Sequence, residues 1–180
     1  MKDLIKKILK EETEQVLMIP GLHYFTDGID GLKNLIEKKN IKKWSLDDGL
    51  DLRKYEDDLT WLEGLVSVSG YLDLEAGQIE SLPNLQSVGG GLDLRKTQIK
   101  DLGNLQSVGG YLNLRYVPIE SLGNLQSVGR ILDLRETQIE SFGNLQSVGG
   151  YLYLNEYLSE KYTDEEIRSM INVDGNIYRE

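Results

Sequence analysis

The sequence predicts an α/β solenoid, a stack of short parallel strands closed at both ends by helical segments. Three observations carry that prediction. The peptide Asn-Leu-Gln-Ser-Val-Gly recurs at 84–89, 104–109, 124–129 and 144–149, always twenty residues apart. A fixed period of roughly 20–29 residues marks a repeat architecture in which each turn of chain leans on its neighbours. Inside each period, alternation such as Leu92-Asp93-Leu94 has the two-residue rhythm of a strand with one apolar side. Stretches with helical spacing lie outside the repeats, before residue 49 and after 158.

Residues 1–48 read as a helical N-terminal cap. Leu4, Ile5, Ile8 and Leu9 fall in one arc of a helix, with Lys2, Lys6, Lys7 and Lys10 opposite. The rival reading, a helix lying on an anionic membrane, is disfavoured because Glu12 falls within the apolar arc. Pro20-Gly21 marks a turn. A second helix begins near Thr26 or Asp27, either of which can cap it. It presents Ile29, Leu32, Leu35 and Ile36 and ends at Lys38-Lys39-Asn40, with cations near its negative pole.

Residues 49–158 form the solenoid. Four copies run without gaps over 71–90, 91–110, 111–130 and 131–150, after a degenerate copy at 49–70 that carries two extra residues before Leu59. A further strand, Tyr151 to Leu154, starts one more coil. The leucines of each strand point inward. Ile99, Leu102, Leu105 and Val108, spaced three or four apart, suit a tight helical or 3₁₀ turn facing the same core. One coil cannot bury such a face alone, so stacked coils share one core. Glycine pairs such as Gly89-Gly90 precede the strands, where a turn with positive φ and no room for a Cβ is expected. Arg130 takes the second position in one copy, so only the first glycine of the pair is obligatory there. Asn84, Asn104, Asn124 and Asn144 stack one above another and are expected to bond backbone groups of adjacent coils.

This pattern resembles the leucine-rich repeat family. The family's strand motif maps onto Gly89-Gly90-Gly91-Leu92-Asp93-Leu94-Arg95-Lys96-Thr97-Gln98-Ile99. Glycine stands at the first leucine position, with Val88 beside it as filler. Thr97, Thr137, Gly77 and Val117 stand where the family has asparagine, so the Asn84 column is expected to hold the turn instead. The unit length and Ser81-Leu82-Pro83-Asn84-Leu85 are similar to the short bacterial class, and the Val-Gly-Gly-x-Leu-x-Leu element to the L domains of growth-factor receptors. The resemblance spans about 110 of 180 residues. It implies a fold; for function it supplies analogy alone.

Residues 159–180 read as a C-terminal cap. Thr163-Asp164-Glu165-Glu166 is a capping box opening a short helix, with Ile167, Met170 and Ile171 on one face. Asp174-Gly175 then turns the chain, and Ile177 starts a last extended piece.

Composition narrows the function classes. There is no cysteine, hence no disulfide framework or thiolate metal site, which favours a reducing compartment. The opening residues are too often charged for a signal peptide, and no apolar run approaches a membrane span. A soluble cytoplasmic protein is expected. Net charge is −10, with fifteen acidic against eight basic residues in 49–158, which disfavours direct nucleic-acid binding. The single histidine, His23, stands beside Tyr24 and Phe25 and reads as packing, because a general base needs an oriented partner. No nucleophile elbow, P-loop or His-Glu-x-x-His is present. Some bacterial effectors join such repeats to a ubiquitin ligase with a catalytic cysteine, and this chain has none. Glu56-Asp57-Asp58 lacks the glycine and spaced oxygens of a calcium loop. No enzyme activity, metal or cofactor is expected.

What remains is the outer side of the strands, which carries three columns. The first reads Gly49, Tyr71, Gly91, Tyr111, Ile131, Tyr151; the second Asp51, Asp73, Asp93, Asn113, Asp133, Tyr153; the third Arg53, Glu75, Arg95, Arg115, Arg135, Asn155. Aspartate and arginine two apart can neutralise each other, each exposed pair contributing under about 1 kcal/mol. Solubility alone would not need the tyrosines, and tyrosine and arginine dominate interface hot spots. The expected function is therefore a non-catalytic protein-binding module. Its site is Tyr71, Tyr111, Tyr151, Tyr153, Arg95, Arg115, Arg135, Asp93 and Asp133, with Tyr116 beside them; the identity of the protein partner is not written in the sequence. The alternative is an inhibitor or decoy, encoded by a phage or mobile element, that blocks a host defence protein through its acidic surface. Glycan binding and a purely structural spacer are further rivals.

Overall fold

Each twenty-residue period makes two short strands, and each pairs in parallel with its counterpart in the neighbouring coils. A computed structural model describes residues 16–53 and 55–179 of the chain. One sheet is built from the Leu-x-Leu segments. Its seven strands run from Leu50–Asp51 through Leu92–Asp93 and Leu112–Asn113 to Ile177–Tyr178. The other is built mainly from Ser-Val pairs. Its eight strands run from Leu17–Ile19, Trp44–Leu46 and Leu65–Val68 through Ser107–Val108 to Asn172–Val173. The register steps by one period, so that Leu92 lies beside Leu112 and Ser107 beside Ser127. The chain is thus a parallel β-solenoid.

The core lies between the two sheets and runs unbroken from Ile19 to Val173. Leu92, Leu94, Ile99, Leu102, Leu105 and Val108 of one coil are all buried against their equivalents. Each such side chain contributes on the order of 1.5–3 kcal/mol when taken from water. Near the N-terminal end Trp44 and Trp61 stack at 5.6 Å within the core, with Tyr55 edge-on to Trp61 at 6.5 Å.

The Ser-Val sheet corrects one expectation. A helical turn was predicted over the Ile99–Val108 segment and its equivalents, yet a 3₁₀ helix forms only in the irregular copy, at Thr60–Gly64. In the regular coils Gly103, Gly123 and Gly143 sit at φ +56 to +57°, which ends any helical turn. A single turn closes there, Leu105 N–H to Leu102 O at 3.0 Å, and from Gln106 on the backbone bonds to the preceding coil, as in Gln106 N–H to Gln86 O at 2.8 Å.

A second correction concerns the glycine pairs before each strand. None of them has a positive φ. What they supply is close approach: a Cβ on Gly109 would lie 2.2 Å from the Gly89 carbonyl oxygen and one on Gly110 2.8 Å from the Gly90 carbonyl carbon, though the second position admits a side chain at Arg130. The asparagine column behaves as expected. Asn84, Asn104, Asn124 and Asn144 donate from Nδ2 to the carbonyls of Glu63, Pro83, Gly103 and Gly123, at 2.7–3.1 Å.

At the N-terminal end the helix Gly28–Lys38 buries Leu32, Leu35 and Ile36. It closes in a Schellman motif: Asn40 has φ 52°, and Ile41 N–H reaches Ile36 O at 3.0 Å. The helix predicted at Leu4 to Leu9 lies outside the described residues. At the C-terminal end two helices appear, Glu156–Lys161 and Asp164–Met170, the first of them not anticipated. The predicted capping box is present. Thr163 N–H donates to Glu166 Oε2 at 2.8 Å, and Glu166 N–H returns to Thr163 Oγ1 at 3.2 Å. The Ser-Val sheet continues before residue 49, into Leu17–Ile19 and Trp44–Leu46, and both sheets continue past 158, into Asn172–Val173 and Ile177–Tyr178. Among the described residues no helix is long and apolar enough to cross a membrane.

Candidate protein-binding face

The outer side of the Leu-x-Leu sheet holds the three columns, because alternate side chains of a strand leave on opposite faces. Tyr71, Tyr111 and Tyr151 are 47%, 37% and 43% exposed. Tyr71 and Tyr111 do not stand upright. Tyr111 lies back across Gly91, where an added Cβ would fall 2.2 Å from its Cε1, and Tyr71 covers Gly49 in the same way. Glycine in the preceding coil is thus the seat on which the Tyr71 and Tyr111 rings rest. Ile131 fills the place between Tyr111 and Tyr151. Burial pushes the Tyr111 hydroxyl above its ordinary pKa, and the carboxylates of Asp93 and Asp73 add to the rise.

The second column is nearly closed to solvent. Asp93 and Asp133 are only 3% and 5% exposed, beneath the arginines and tyrosines. In each of these coils the aspartate Oδ1 accepts the backbone N–H two residues on, Arg95 or Arg135, at 3.1 Å. The same carboxylates then take the guanidinium: Arg95 through Nε at 2.9 Å and Nη2 at 2.7 Å, Arg135 at 2.9 and 2.6 Å. Arg95 also reaches Glu75 in the preceding coil at 3.0 Å, and Arg53 reaches Asp73 at 3.2 Å. Burial beside Asp93 pushes the Asp73 carboxyl up, while its bond from the Glu75 N–H opposes the rise.

Arg115 differs. Its strand carries Asn113 in place of aspartate, and Asn113 Oδ1 is taken by the Arg115 backbone N–H at 3.2 Å. The remaining side-chain group of Asn113 is an NH2, a donor that a guanidinium cannot use. Among the described residues Arg115 has no ion pair, and its buried Nε–H has no acceptor. The guanidinium instead lies over the exposed Tyr116 ring, 4.9 Å from its centre.

The site's far end is aromatic. Tyr153 stacks on Tyr178 at 4.7 Å, Tyr151 meets the same ring edge-on at 5.7 Å, and Arg135 lies over Tyr153 at 4.6 Å. Tyr178 was not assigned to the face in the sequence, although it occupies the second column opposite Tyr153. Asn155, assigned to the third column, turns inward instead. It is buried, accepts from Leu158 N–H at 2.9 Å and donates to Ile139 O at 2.8 Å, capping the helix Glu156–Lys161.

Elsewhere, His23 is exposed and touches Tyr24 at 4.2 Å between ring centres. Asp58 of the acidic run accepts from the Thr60 hydroxyl at 2.6 Å and the Thr60 N–H at 2.9 Å, which hold its carboxyl below the usual range. Among the described residues no group of three or more histidine, aspartate or glutamate side chains is placed to hold a metal ion. No family model, curated protein or solved structure matches this chain.

Proposed function

We propose that the chain is a non-catalytic protein-interaction module that holds its partner against the outer face of the Leu-x-Leu sheet. The observation that carries this reading is the row Tyr71, Tyr111 and Tyr151, three part-exposed rings on a face whose aspartates and arginines largely neutralise one another. Internally paired charges add little pull on a partner, whereas large, pre-placed aromatic rings supply contact area at small entropic cost. Reading the coils as leucine-rich repeats of the short bacterial class belongs to the same proposal, on the strength of unit length and Leu-x-Leu spacing.

The test is affinity capture from an extract of the source organism followed by mass spectrometry. Replacing Tyr71, Tyr111 and Tyr151 by alanine is expected to leave the circular dichroism spectrum unchanged and to lose the partner. Gly91→Ala is the subtler probe, since its methyl must displace the Tyr111 ring without removing it. Unchanged capture by both variants refutes the reading. The acidic excess of residues 49–158 supports a second one, an inhibitor that occupies a basic groove. Salt separates the two: charge mimicry collapses between low and high ionic strength, and a tyrosine-anchored contact weakens modestly.

A further inference from the structure

We infer that the partner presents a single carboxylate, an aspartate or glutamate side chain flanked by apolar residues, to Arg115. This rests on the face being the interface and names what one point of it takes. Arg53, Arg95 and Arg135 are each held by a carboxylate from their own strand, at 2.5–2.7 Å through Nη2. Arg115 meets Asn113 instead, and among the described residues it has no anionic partner. Its Nε–H is buried without an acceptor. Arg115 as a whole is part-exposed, so a docked carboxylate meets the guanidinium at its Nη groups and supplies the negative charge that its own strand lacks.

The geometry fits that ligand in three ways. The guanidinium is planar and forked, which matches a carboxylate with two parallel bonds. It is already held over the Tyr116 ring, 4.9 Å from its centre, so little side-chain freedom is lost on binding. The neighbouring pairs Asp93–Arg95 and Asp133–Arg135 are each neutral, so within the aspartate and arginine columns of these three coils the uncompensated charge is that of Arg115. One carboxylate satisfies it. A strongly acidic segment would be repelled by a chain of net charge −10. Tyr111 and Ile131, which start the same coil and the next, supply the apolar surface on which the flanking residues rest.

The sequence itself offers the sharpest variant. Asn113→Asp gives this coil the aspartate of its neighbours, which pairs Arg115 internally while keeping every tyrosine. The probe is acetyl-Trp-Glu-Leu-amide, with acetyl-Trp-Gln-Leu-amide as its neutral match, followed by NMR at the arginine Nε–Hε resonances. The glutamyl peptide is expected to shift Arg115 saturably, to bind about tenfold more tightly than its match, and to leave Arg95 and Arg135 in place. Asn113→Asp is expected to abolish that shift and to unfold at a urea concentration no lower than the parent. Equal response to both peptides, an equal response of Arg95 and Arg135, no response at all, or a full response in Asn113→Asp would each overturn the inference. Partner capture lost in the tyrosine variants and kept in Asn113→Asp leaves the face as interface and removes the carboxylate contact alone.

Discussion

Gly129 and Gly123 belong to the same coil, and replacing each by alanine separates two reasons for a glycine. At Gly129 a Cβ would lie 2.1 Å from the Gly109 carbonyl oxygen and 2.8 Å from its carbon, where real contacts stay above 3.0 Å. The coil must therefore retreat by about 1 Å, an overpacking strain that costs roughly 1–3 kcal/mol. That movement stretches two inter-coil bonds, Gly129 N–H to Val108 O at 2.7 Å and Arg130 N–H to Gly110 O at 3.0 Å. Each is worth about 1 kcal/mol net, so Gly129→Ala is expected to cost about 3–5 kcal/mol in all. Gly123 has open space around its Cβ position and φ +57°, so alanine there pays only the left-handed backbone cost of about 1–2 kcal/mol. Urea unfolding followed by circular dichroism reads the difference. With a slope of roughly 2 kcal/mol per molar, the two midpoints are expected about 1 M apart, Gly129→Ala the lower. A Gly129→Ala midpoint equal to or above that of Gly123→Ala would refute the close-approach account of these glycines.

Glu136 holds φ 58° without being glycine. Glu136→Gly is expected to stabilise by roughly 0.5 kcal/mol, strain relief exceeding the unfolded-state entropy, and Glu136→Val to destabilise; thermal melts of both decide it. Asn155→Ala removes a helix cap and two inter-coil donors at a buried position, and is expected to cost about 2–3 kcal/mol in the same urea assay. Burial, then the bond from Tyr55 to Asp30, pushes the Tyr55 hydroxyl up to about 12. A folded value above the unfolded one means that its stabilisation is complete below pH ~10 and is lost as pH rises through about 12. Stability measured across that window is expected to fall less steeply in Tyr55→Phe than in the parent; equal slopes would remove the assignment.

The period, the inward leucines and the asparagine ladder were legible because each rests on spacing or on a polar group that must find a partner. The Ser-Val sheet was not. Two residues per coil are too few to show alternation, and their strand character comes from pairing with Ser-Val of the next coil, which is long-range. Its one local sign was the β-branched valine at Val88, Val108, Val128 and Val148, read as filler at Val88 and as part of a helical turn at Val108. The glycine pairs were placed correctly for room and wrongly for φ, since a sequence does not tell a missing Cβ needed for contact from one needed for conformation. On the face, the three columns could be written down from the alternation. That Gly91 seats Tyr111, that Asp93 is submerged and that Asn113 leaves Arg115 unmatched depend on contacts between coils, and those appear only once the stack is built.

Tyr71, Tyr111 and Tyr151 are forty residues apart, while the leucines beneath them return every twenty. Two metres of different length therefore run through one rod, the outer one about 9.6 Å long at ~4.8 Å per coil. Copying the twenty codons of a tyrosine-bearing coil would extend the interior in phase and bring two rings onto adjacent coils. Copying forty would lengthen both in step. Any longer descendant that still grips the same ligand is expected to have grown by pairs.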